Sequence, residues 1–135
     1  MANKFRASFE GKIGEKTYEL RPTFEAISEF IDRSGMDPFE ALGQYEKKGG
    51  LGVKVIVAAV YAGIYGELLT QGRKAPSFSE IGNECQTHGF NLCAPIALEF
   101  LYRGVGSDEF IKKLEETREE LKKESRSNGG DTLQD

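Results

Sequence analysis

Between Val53 and Thr70 the sequence VKVIVAAVYAGIYGELLT carries only two charges, Lys54 and Glu67. A stretch that is apolar nearly all round must be shielded on most of its sides, so other parts of the chain have to surround it. Its β-branched opening, residues 53–57, would suit a strand. The continuation through Ala58, Ala59, Ala62, Leu68 and Leu69 is too long for one and predicts a central helix. The uncharged core of the segment, residues 55–66, is short of the ~18–20 residues that a membrane-spanning helix needs. The expectation is therefore a helix buried by protein, with no membrane role.

What can cover that helix is written on either side of it. Phe5, Ala7 and Phe9 alternate with Lys4, Arg6, Ser8 and Glu10, the period-two pattern of a half-buried strand, and Tyr18 and Leu20 repeat it. Gly11-Lys12-Ile13-Gly14 offers glycines for a tight reversal, so residues 4–21 read as an antiparallel hairpin whose apolar face is Phe5, Phe9, Tyr18 and Leu20. A hairpin of two strands is marginal alone and must lie on helices. Thr23 can cap a helix with Phe24, Ile27, Phe30 and Ile31 at helical spacing, ending at Gly35. Asp37-Pro38-Phe39-Glu40 opens another, stopped by Gly49-Gly50. Ser77-Phe78-Ser79-Glu80 caps a third that ends at Gly89. Asn91 can cap a fourth, with Pro95 in its first turn and Leu98, Leu101 and Tyr102 as its packing face before Gly104.

From Ser107 the chain becomes highly charged. Asp108 with Lys112, Glu109 with Lys113 and Glu119 with Lys123 are spaced to pair along a helix over about 107–124. The apolar stripe of that helix, Phe110 or Ile111 with Leu114 and Leu121, is thin. It either projects as a solvated face or seats Phe110, Leu114 and Leu121 on a partner. Residues 125–135 have little to bury and are expected to be disordered. The predicted architecture is α+β and predominantly helical: an N-terminal antiparallel β-hairpin packed on a bundle of roughly five to six helices. Residues 1–124 form one domain, in keeping with a chain of 135 residues.

Composition narrows the function classes. A net charge of -4 with no basic face argues against a nucleic-acid surface. The opening MANKFRASFEGK lacks the apolar core of a signal peptide, so a cytoplasmic location is expected, and Cys85 and Cys93 are expected to be reduced. Cys85, His88 and Cys93 could make a nucleophile pair or a small zinc site. No fourth ligand or orienting group is placed by the sequence, and two buried thiols with a helix-terminal histidine account for the same residues. Lys47-Lys48-Gly49-Gly50-Leu51-Gly52 resembles a phosphate loop loosely, but its lysines precede the glycines, as in an interhelical loop. Tyr61 and Tyr65 read as core residues with hydroxyls at the rim in preference to a partner groove. The carboxylates after 107 form a solvated run with nothing to drive two pKa values apart. The chain is expected to be a binding protein, with no catalytic residues, metal or cofactor.

The segments FRASFEGKIGEKTYELR, TFEAISEFIDRSGMDP, VKVIVAAVYAGIYG and FSEIG, in that order, resemble the short tail tube or tail assembly chaperone proteins of tailed phages and gene transfer agents. The likeness covers residues 4 to about 110. It implies a role in virion assembly: a protein made in the bacterial host's cytoplasm, from prophage genes, that binds the tape-measure protein or the tail tube protein, or adds to the tail itself. The family supplies no catalytic residues, and self-association is compatible with it. The Lys/Glu-rich final helix departs from the more Ala- and Arg-rich members. One short hairpin cannot supply the continuous inner β-ring of a tail tube, which favours the chaperone.

Overall fold

The computed structural model describes residues 7–106 and, beyond them, Lys112, Glu115, Glu116 and Glu119, which are helical and exposed. The rest of the expected charged helix, with Phe110, Leu114 and Leu121, and the expected tail at 125–135 lie outside the described residues, as does Phe5. The chain is α+β and predominantly helical. It opens with a hairpin of β1 (Phe9–Ile13) and β2 (Lys16–Leu20). Five helices follow within residues 7–106: α1 (Phe24–Ser34), α2 (Pro38–Lys48), α3 (Val53–Thr70), α4 (Phe78–His88) and α5 (Phe90–Val105).

The hairpin reverses later than its glycines suggest. Gly11, Lys12 and Ile13 belong to β1, pairing with Tyr18, Thr17 and Lys16, and the turn is Gly14-Glu15. Gly14 has φ of 63° while Glu15 stays at negative φ, the φ pattern of a two-residue type II′ turn, which suits the twist of the flanking strands. Extending β1 to residue 13 gains a core side chain, because Ile13 is buried on the same face as Phe9. Gly11 sits between them, and its missing side chain admits Ile96 of α5: a Cβ there would lie 2.9 Å from Ile96 Cγ2.

α3 is the axis of the molecule, packed against α1, α4, α5 and β2. Twelve of its eighteen residues are buried. By length and composition this helix is apolar enough to cross a membrane, yet two-thirds of it is covered by the protein itself. One side of α3 is smooth, and there the end of β2 comes down: the Arg21 amide donates to the Gly63 carbonyl at 2.9 Å. A Cβ on Gly63 would lie 2.6 Å from Leu20 Cδ2, and one on Gly66 would meet the Arg21 carbonyl oxygen. The junction is closed by the buried carboxylate of Glu67, which accepts from Arg21 Nε at 2.9 Å and from Gln71 Nε2. A buried charge is tolerated only when paired in this way.

Three helix starts follow their sequence signals. Thr23 accepts from the Ala26 amide, Asp37 from Phe39 and Ser77 from Glu80, each bond worth about 1 kcal/mol. α5 departs from expectation at both ends. It begins at Phe90 with Gly89 as an uncapped N-terminus, so Asn91 lies inside the helix and Pro95 is its sixth residue. It also runs through Gly104, where the absent side chain makes room for Ile27 of α1, and stops at Gly106. The apolar positions of α1 divide as well: Phe30 is buried and Ile27 packs on the core, whereas Phe24 is 73% and Ile31 38% exposed.

Candidate functional site

The cysteines and the histidine separate into two settings. Cys85 on α4 and Cys93 on α5 are buried free thiols in hydrogen-bond contact with each other. Burial pushes the Cys85 thiol up to about 12, with the Cys93 contact adding to it, and burial raises Cys93 as well. Both are therefore protonated near neutrality, the reverse of what a nucleophile or thiolate ligand needs. His88, the last residue of α4, lies against the hairpin turn, where its ring occupies the space a side chain at Gly14 would take. Among the described residues no group of three His, Cys, Asp or Glu is placed to hold a metal ion.

Two clefts flank α4, and the helix presents a different chemistry to each. The larger, about 510 Å³, lies against β2 and is lined by Lys16, Tyr18, Glu80 and Glu84. Lys16 pairs with Glu84 at 3.6 Å. The Tyr18 hydroxyl is pushed up by burial, with Lys16 opposing and Glu84 adding to the shift. One open ion pair and a protonated phenol can recognise a polar group but provide no nucleophile or matched acid and base. The second cleft, about 340 Å³, lies where α4 passes the starts of α3 and α5. Its apolar lining is Val53, Val57, Phe78 and Phe90, with Gly82 in its α4 wall and Lys54 as its charged residue. Residues 79, 82 and 86 face this groove, Asn83 borders both clefts, and Glu80 and Glu84 line the larger one.

Behind the groove, Phe78 joins an aromatic cluster. It meets Tyr61 edge-on at 5.4 Å, and Tyr61 stacks with Tyr65 at 6.2 Å. The Arg33 guanidinium, at the end of α1, lies 5.2 Å from the Tyr61 ring and 5.1 Å from the Phe78 ring. Its hydrogen bond from Nε to Glu29 at 3.0 Å holds it there and raises its pKa. Tyr61 is buried, as a core residue should be, and the cluster ties α1, α3 and α4 together. Sequence reasoning did not find the groove or the arginine, because the residues come from elements far apart in the chain. The one available sign was the alternation on α4 between acidic and uncharged positions.

The remaining surface carries isolated large apolar side chains: Phe24 is 73% exposed, Phe39 64% and Leu92 66%. Phe110, Leu114 and Leu121, the partner-binding residues expected from sequence, lie outside the described residues. The chain matches no family model, no curated protein and no solved structure.

Proposed function

We propose that this chain is a tail assembly chaperone of a tailed phage or gene transfer agent. On this reading it is made in the cytoplasm of the bacterial host, binds the tape-measure protein or another tail protein during assembly, and performs no catalysis. The observation that carries the proposal is the kind of surface the fold leaves: an apolar groove and exposed Phe24, Phe39 and Leu92, with no metal-holding cluster among the described residues. Exposed apolar groups of this sort suit reversible contact with proteins. The likeness of the segments from FRASFEGKIGEKTYELR to FSEIG supplies the assembly role. A single two-stranded sheet among the described residues favours a chaperone over a tube subunit, because a tube needs long strands to close a ring.

Co-expression with the tape-measure product of the neighbouring gene tests the reading. The tape-measure protein should be soluble only when this chain is present, and purified particles should lack the chain. Equal solubility without it would overturn the proposal. Stoichiometric presence in particles would replace it with a structural tail component, and stoichiometric zinc in the purified protein would favour a Cys/His metal domain instead.

A further inference from the structure

Three helices start on the apolar groove, α3, α4 and α5, and two of them lack the usual N-terminal chemistry. α1, α2 and α4 each have a capping side chain and a glutamate in the first turn. α3 and α5 have neither: Gly52 and Gly89 precede them, and no acidic residue lies in either first turn. Their first residues, Val53 and Phe90, both line the groove. Two helix starts without a side-chain cap, and with them two positive helix ends, therefore lie at one apolar cleft. Lys54 adds a full positive charge, and among the described residues no acidic one lines the groove.

We propose that this groove docks an acidic amphipathic helix of a partner protein, its apolar face on Val53, Val57, Phe78 and Phe90 and its carboxylates toward the starts of α3 and α5. A helix is favoured over an extended peptide because its backbone bonds are satisfied internally. Among the described residues no strand lines the cleft to pair with an extended segment. A volume of about 340 Å³ receives two or three apolar side chains. A peptide is favoured over phosphate chemistry because the charge surrounds an apolar floor, whereas a phosphate site would be lined by polar groups. The inference deepens the reading of the chain as a protein-binding module, and its test is independent of tail assembly.

The test uses the purified full chain and a fluorescent helix-forming peptide of about 16 residues. Leu and Phe are placed four and three apart on one face of the peptide and Glu on the other, and a second peptide carries Lys in place of Glu. The acidic peptide should bind at least about tenfold more tightly than the basic one and should weaken as salt is raised. Gly82→Leu should reduce its affinity about tenfold or more by filling the cleft. The substitution leaves the core in place, because a Cβ at Gly82 lies at an ordinary 3.6 Å from Val57 Cγ1. Lys54→Glu, on an exposed side chain, should weaken binding without changing the unfolding midpoint. Equal binding of the two peptides, unchanged affinity in Gly82→Leu, or displacement of the peptide by a single-stranded oligonucleotide would overturn the inference. If peptide binding fails while the tape-measure protein still depends on the chain for solubility, the groove assignment falls and the chaperone reading stands.

Discussion

Glycines within helices serve opposite ends in this protein, and substitution separates them. Alanine at Gly82 adds helix propensity and meets only an ordinary 3.6 Å contact with Val57 Cγ1, so Gly82→Ala should stabilise by about 0.5–1 kcal/mol. Alanine at Gly66 gains the same propensity but drives a methyl toward the Arg21 carbonyl and to 2.8 Å from the Ala26 Cβ. The backbone oxygen cannot rotate away, so Gly66→Ala should destabilise by about 1–3 kcal/mol. Urea midpoints of the two variants, moving in opposite directions, check both. The buried thiols give a second expectation at this scale. Cys85 ionises at about 12 in the folded chain against an ordinary value of 9.0. Below pH 9 both folded and unfolded thiols are neutral and the full stability is present. Between pH 9 and about 12 only the unfolded thiol ionises, costing ~1.4 kcal/mol per pH unit. Burial of Cys93, Tyr18 and Tyr102 acts in the same sense. Urea unfolding over this range should show stability falling as pH rises, with a shallower slope in Cys85→Ala.

Among the elements, α1 shows most plainly how little spacing alone says about burial. Phe24, Ile27, Phe30 and Ile31 all satisfy helical periodicity, yet only Phe30 of the four is fully covered; its ring lies 6.2 Å from that of Phe100 on α5. Phe30→Ala should cost about 3–5 kcal/mol. Phe24→Ala, at a site 73% exposed, should stay within about 0.5 kcal/mol. Thermal or urea unfolding of the pair measures the contrast, and similar losses in both would mean that Phe24 is covered in solution. α3 makes the complementary point. Its all-round apolarity announced burial, and the helices and strand packed around it supply the cover. Which of its faces would be smooth was set by Gly63 and Gly66, through the approach of β2.

Over the whole molecule, every major element packs on α3 directly or through one neighbour, so the described residues share one core. A chain of this size with one core should unfold in a single transition. Tyrosine fluorescence and far-ultraviolet circular dichroism should give coincident urea curves, with Tyr61 and Tyr102 reporting from the core. A separate early transition in one probe would show that the hairpin or α2 unfolds independently. Outside the core, α4 presents two different faces. Its acidic side faces the hairpin cleft and its uncharged side faces the groove.

The sequence by itself determined the class of fold, the order and most boundaries of the elements, the caps at Thr23, Asp37 and Ser77, and the burial of α3. Each of these rests on local chemistry: periodicity, a capping oxygen, a helix with no polar face to give to water. Tertiary structure alone decided the turn at Gly14-Glu15, the extension of α5 through Pro95 and Gly104, the exposure of Phe24 and the meeting of two uncapped helix starts on one groove. These depend on which surfaces come together across long separations in the chain. Ile13 turns inward because α4 and α5 lie beneath β1, and Gly104 stays helical because Ile27 fills the space beside it. A pattern of neighbours along the chain holds no record of such distances, so the scaffold could be read in advance and the groove could not.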